Sequence, residues 1–263
     1  TFNPDFPSNQ FNHAILCVPN KGDTIWLETT AKTTPTGYIG RGNANRNALA
    51  ITDNGGKLIK TPRYTALDNK QIQTATIDIT SEGHAKGSIQ TSYQGLQYDF
   101  FRNQADRNPK KQEKWLYKNL DLNNFKVKEH TYRKNLDDKT VGIRNLTLEV
   151  NNYATKSGKR LFLPLNILNK RTYIPERINK RTNDILFKFS YHDIDSVKYK
   201  IPKGYAVEYM PESEEYDCVL GSYKIEVNRS GNEILYRREN IMNKGTYDKK
   251  EYKNVRKFYK QMV

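Results

Sequence analysis

The chain has 263 residues with 44 Lys and Arg, 29 Asp and Glu, two cysteines and four histidines, and a formal net charge of +15 at pH 7. That length can bury a sizeable core and make one large or two medium domains. Excluded are a membrane-spanning helix, since no run approaches roughly 18 apolar residues, and a disulfide or CxxC scaffold, since Cys17 and Cys218 stand far apart. No export segment opens the sequence.

In chain order, NQFNHAILCVPNKGDTIWLETT (Asn9–Thr30) reads as a hairpin of AILCV, a four-residue PNKG loop and DTIWLE. Pairing Val18 with Asp23 puts Cys17 opposite Thr24, Ile15 opposite Trp26 and His13 opposite Glu28. Side chains directly across an antiparallel pair share a face, with Cβ atoms about 4.5–5.5 Å apart. A carboxylate bound to one imidazole nitrogen fixes the tautomer and frees the other nitrogen to exchange a proton with a nucleophile. The same spacing also describes an ordinary cross-strand pair on a half-exposed sheet. Cys17 is not the nucleophile of this reading. It lies four residues along the strand from His13, roughly 13 Å, whereas attack needs an approach of about 3 Å. It is expected to be a small buried core residue, and Cys218, in the acidic ESEEYDC turn, is no better placed.

GYIGRGNANRN (Gly37–Asn47) is glycine-rich but follows no buried strand into a helix, so a free loop is expected rather than a phosphate cradle. ITDNGGKLI reads as a hairpin with an Asn-Gly-Gly turn. QIQTATIDIT and SIQTSYQGLQY alternate strictly about the turn SEGHAKG. One or two short helices are expected between Asp99 and Leu120, interrupted near Asn108-Pro109. Strands are then expected over NFKVKEHTYRK, VGIRNLTLEVNNY, KRLFLPLNI, DILFKFSY, SVKYKIP, YAVEYMP, GSYKIEVNRS and NEILYRREN. A closing helix spans KKEYKNVRKFYKQMV, where Tyr252, Val255, Phe258 and Tyr259 form an apolar stripe. The fold class is mainly β, with antiparallel sheets, a β-sandwich-like C-terminal domain, a few short helices and a C-terminal helix.

The charge excess is central, with +12 of it on residues 101–200. It gathers in KKQEKWLYK (Lys110–Lys118), KSGKR (Lys156–Arg160) and NKRTYIPERINKR (Asn169–Arg181). Trp115, Tyr117 and Tyr173 lie nearby and could stack on bases. No nucleic-acid motif accompanies them, so the expectation is a solvated basic surface with no nucleic-acid partner. His13, His84, His130 and His192 show no ligand spacing, so no metal and no cofactor is expected.

Asn12-His13-Ala14, the hairpin, and Trp26-Leu27-Glu28-Thr29-Thr30 resemble the histidine and aspartate strands of the bacterial transglutaminase-like fold. In that family the second strand typically reads tryptophan, an apolar residue or two, then Asp-Pro-Thr. The resemblance runs on through TTPTGYIGRGNANRNALAITDNGGKLIKTP. IPKGYAVEYMP, LGSYKIEV, LYRREN and the final helix are similar to the C-terminal β-rich domain, of unknown function, in large exported multi-domain members.

The resemblance implies that residues 1–62 are the last strands of an incomplete transglutaminase-like core, and that residues 63–263 are a β-rich accessory domain, dividing near 165 if it has two parts. It implies His13 as base and Glu28 as orienting carboxylate. The nucleophilic cysteine would sit on a helix in a partner domain upstream of residue 1. A protein or peptide substrate would be reached through the full-length protein, in an exported, periplasmic or cell-envelope setting. Glutamate in place of aspartate lengthens the arm by one methylene. The expected function is thus that of a fragment of a cysteine acyl-transfer or amide-hydrolysing protein, inert alone. The alternative is a non-catalytic β-rich binding or structural module, polyanion binding included. With the upstream helix absent, the hairpin face bearing Ile15, Cys17 and Trp26 is expected to be uncovered.

Overall fold

The structure is a computed structural model that describes residues 3, 5, 6, 8–136 and 140–263. Thr1, Phe2, Pro4 and Pro7, in the expected 1–62 unit, lie outside the described residues, as do Asp137–Lys139.

Two hairpins come first. β1 (Leu16–Asn20) pairs with β2 (Asp23–Leu27) about Lys21 and Gly22, at φ +42° and +89°. Positive φ at both central residues gives a turn whose twist matches that of the flanking strands. The turn therefore takes two residues and not the expected four, and Pro19 and Asn20 join the ladder. The register moves by two: Cys17 faces Trp26 and Val18 faces Ile25. Gly40–Asn43 forms a single helical turn, α1, where a free loop was expected. β3 (Asn47–Thr52) and β4 (Gly55–Lys60) turn at Asp53-Asn54, with Gly55 at φ +99°, one residue earlier than the expected Asn-Gly-Gly.

β5 (Lys70–Ile79) and β6 (Ala85–Gln94) form the expected long hairpin. The second expected strand stops at Gln94, because Gly95 at φ +54° turns the chain into α2 (Tyr98–Ala105). α3 (Pro109–Asn119) starts separately. Asn108 caps it by accepting from the Lys111 amide at 2.9 Å, and Pro109 fills the first turn, where its missing N–H costs nothing. β7 (Phe125–Asn135), β8 (Val141–Val150), the small hairpin of β9 (Thr155–Ser157) and β10 (Arg160–Phe162), and β11 (Ile185–Phe187) follow. Then come β12 (Tyr191–Lys200), β13 (Glu214–Cys218), β14 (Gly221–Ser230), β15 (Glu233–Met242), β16 (Gly245–Tyr247) and α4 (Tyr252–Gln261).

The molecule is mainly β, and its largest sheet has eight strands in the order β13-β14-β15-β12-β5-β6-β8-β7. Every neighbouring pair is antiparallel except β12 with β5. This parallel join hydrogen-bonds strands from both sides of residue 165 into one sheet.

Burial alternates along the strands. Ile77, Ile89, Leu146, Leu148, Val197 and Tyr199 face in, while Thr74, Gln90 and Asn145 face solvent. The inward face is covered by Leu116 of α3 and by irregular segments that bring Ala154, Leu165, Ile167, Val207 and Met210 onto it. YAVEYMP was expected as a strand. It has no regular secondary structure instead, and Val207 and Met210 pack onto the covered face. The α4 stripe buries Val255 and Phe258 against Leu220, Tyr223 and Met242 in a second cluster.

The start of the chain is tied to this sheet by aromatic residues. Tyr38 is buried and meets Tyr98 of α2 edge-on, with centroids 5.2 Å apart, in a cluster with Tyr93 and Phe101. The face expected to be uncovered, bearing Ile15, Cys17 and Trp26, is covered in part. Trp26 is buried, and its carbonyl accepts from the Gly37 amide at 3.0 Å as the chain folds back over it. Ile15 is half-buried and Cys17 is exposed, so Cys17 is not the core residue expected. On the strands of the two hairpins the exposed large apolar side chains are Leu16 and Val18, on the other face of the first, and Leu49, Ile51 and Leu58 on the second.

Candidate functional site

His13 and Glu28 meet, though not as the direct cross-strand pair expected. Continuing the observed register would set Ile15 opposite Glu28 and make His13 a diagonal neighbour. Diagonal positions lie about 7–8 Å apart, within reach of a long side chain. The extra methylene of glutamate over aspartate helps to span that distance. His13 Nε2 lies 2.7 Å from Glu28 Oε2. Using Nε2 for this contact leaves Nδ1 on the opposite side of the ring. The His13 side chain is 35 % exposed and that of Glu28 is 9 % exposed, so the base reaches solvent while its carboxylate is sheltered.

Three further donors hold the carboxylate. Glu28 Oε1 accepts from the Thr30 amide at 3.0 Å and the Thr30 hydroxyl at 2.6 Å. Oε2 also accepts from Asn43 Nδ2, at the end of α1. Burial alone raises the Glu28 pKa. The Thr30 hydroxyl, His13 and the Thr30 amide together outweigh it and bring the value down from 4.5 to about 2. Glu28 is therefore a carboxylate at any physiological pH, and the polarity it presents to His13 is fixed.

The local chain explains the placement of α1. Its Arg41 amide donates to Asp99 Oδ2 at 2.9 Å, and the Arg41 guanidinium lies between the rings of Phe100 and Phe189, 4.3 and 4.2 Å from their centroids. Arg102 donates to Thr34 Oγ1 at 2.6 Å and faces Asp99 at 3.5 Å. Asp99 and Arg102, on α2, thus fix the segment that carries Asn43. Glu28, Thr30, Asn43, Arg41, Asp99 and Arg102 are among the residues that line a cleft of about 180 Å³; His13 is not.

Neither Cys17 nor Cys218 lines this cleft. Sequence reasoning named His13 and Glu28 but missed Thr30, Asn43, Asp99 and Arg102. Thr30 lay within the quoted motif. Asn43 lay in the glycine-rich stretch set aside as a loop. Sequence reasoning also missed a second pair: His192 Nε2, at a buried position of β12, lies 2.7 Å from Oε1 of the half-buried Glu239 on β15. Among the described residues, no group of three His, Cys, Asp or Glu could hold a metal ion, and no helix is long and apolar enough to cross a membrane.

Residues 159–263 match the model of a family described as a domain of unknown function with a solved structure, DUF3858. The match spans β10 to α4. It therefore contributes β12–β15 to the large sheet, and the second histidine pair lies within it. His13, Glu28 and Asn43 lie outside it. The chain has no significant match among curated proteins.

Proposed function

We propose that the His13–Glu28 pair is the proton-shuttling part of a transglutaminase-like site for cysteine acyl transfer or amide hydrolysis. The observation that carries this reading is a solvent-reaching imidazole held at Nε2 by a carboxylate that is itself held by Thr30 and Asn43. An ordinary surface pair has no need of such a clamp. The sequence resemblance of both strands to that family supports the reading independently.

In the proposed reaction a cysteine thiolate attacks the amide carbonyl of a protein or peptide, and the C–N bond breaks as His13 gives its proton to the departing amine. A thioester results. Water or an acceptor amine then attacks the thioester while His13 Nδ1 takes its proton, and the thiolate leaves. Glu28 stabilises the imidazolium in both steps and is not itself protonated. The thiol comes from a segment or chain other than those carrying Cys17 and Cys218. A protein exported to the cell envelope is the setting this reading favours.

The test is incorporation of a fluorescent amine into a glutamine-bearing protein, with release of ammonia as the parallel readout, by the protein in its natural full length. His13→Ala should lower turnover at least about 100-fold, the lower bound of a general acid–base contribution. Turnover that is unchanged in His13→Ala would remove the proposal.

A further inference from the structure

Between α2, α3 and strands β6 to β8 lies a second cavity, of about 220 Å³, walled by Tyr93, Phe100, Trp115 and Tyr132 together with Gln104 and Arg144. It shares no lining residue with the Glu28 cleft. Arg144 rises into it from β8, directly opposite Thr91 on one side and Tyr132 on the other.

Arg144 belongs to a buried polar row that crosses the covered face strand by strand: Arg238, Asp195, Gln73, Thr91, Arg144. At one end the charge is satisfied, for Arg238 Nε lies 2.5 Å from Asp195 Oδ2, and Asp195 also accepts from Gln73 and Asn169. At the other end it is not. Arg144 is 7 % exposed, and no carboxylate pairs with it among the described residues. It donates from Nη2 to Thr91 Oγ1 at 3.3 Å and stands 5.8 Å from the Tyr93 centroid, while its Nε has no partner. Gln104 Oε1, in the same wall, is also buried without a partner. Burying a guanidinium costs heavily unless an anion offsets it. A half-open aromatic pocket with a buried cation that no carboxylate pairs, and with unpartnered polar atoms on Gln104 and Tyr132, is the arrangement of a small-ligand site.

We propose that this cavity binds a small carboxylate with an aromatic or compact apolar body. The guanidinium of Arg144 takes the carboxylate, the aromatic walls take the body, and Gln104 Oε1 accepts from a hydroxyl or amino group of the ligand. The guanidinium matches a planar carboxylate through two parallel N–H donors, and its attraction is strengthened by the low-dielectric surroundings.

The test is titration of the full chain with benzoate, benzamide and inorganic phosphate at fixed pH and ionic strength, followed by the indole NMR resonances. Trp115 lies in the cavity wall, and Trp26, outside it, is the internal control. Benzoate should shift Trp115 saturably and leave Trp26 unmoved, with benzamide at least about tenfold weaker, the preference expected of one charge-assisted contact. Arg144→Gln should abolish the preference, and Arg144→Lys should keep part of it. If Arg144→Gln does not fold, the benzoate and benzamide affinities of the unaltered protein decide the matter. Equal affinity for the two, no saturable shift of Trp115, or a shift by phosphate as large as that by benzoate would overturn the proposal.

Discussion

His13 and His192 each set Nε2 2.7 Å from a glutamate oxygen, in two regions built on different principles. His192 sits on a central strand with its side chain only 7 % exposed, and its Nδ1 is buried without a partner. Its glutamate, Glu239, is 28 % exposed and shared with Arg237 at 3.5 Å. At His13 the arrangement is reversed: the imidazole is open and the carboxylate is enclosed and clamped. A proton shuttle needs an accessible ring and a carboxylate that holds its position; the first pair has a partly exposed ring and a clamped carboxylate, the second a buried ring and a shared carboxylate. A histidine–carboxylate contact does not by itself mark a site.

Asp195→Ala should have the largest effect, about 3–5 kcal/mol of stability in chemical denaturation, because it strands the Arg238 charge inside the sheet. It sets the scale for the region of His192. His192→Ala should cost about 2 kcal/mol by the same measurement, through lost packing and a severed buried hydrogen bond.

Glu28→Gln should cost about 1–2 kcal/mol, since it weakens hydrogen bonds made to a charged acceptor. That difference should depend on pH. The folded-state pKa is depressed from 4.5 to about 2, so the stabilisation is fully present above about pH 4.5 and is lost as pH falls towards 2. Melting curves of the two proteins should therefore converge as pH falls from about 4.5 towards 2.

His13→Ala should change stability least, within about 0.5 kcal/mol, as expected of a partly exposed side chain away from the core. A loss as large as that for His192→Ala would make both pairs structural, and the contrast between them would disappear.

What was legible in the sequence follows the reach of each interaction. The alternation of QIQTATIDIT, the helix break at Asn108-Pro109 and the Val255–Phe258 stripe are local signals, and each appears as an element of the structure. The register of the first hairpin was missed because Pro19 and Asn20 carry turn chemistry yet lie in a strand, while Lys21 adopts a positive φ that its side chain does not advertise. The single turn at Gly40–Asn43 has no helical pattern of its own. It is held by Asp99, 58 residues away, and by the rings of Phe100 and Phe189. The buried polar row did leave a trace: Gln73, Thr91 and Arg144 occupy strand positions whose alternation calls for apolar residues. A polar residue at such a position needs a partner, and the partner lies on a strand that sequence spacing does not identify.

In the proposed site Glu28 orients His13 so that Nδ1 is the free basic nitrogen. The direct measurement is the ring ¹⁵N NMR spectrum of the neutral imidazole, which reports which nitrogen carries the proton, in the unaltered protein and in Glu28→Gln. The unaltered protein should hold the proton on Nε2, facing Glu28, with Nδ1 unprotonated, and Glu28→Gln should relax towards a mixture of tautomers. A proton on Nδ1, or an unbiased mixture in the unaltered protein, would contradict the account.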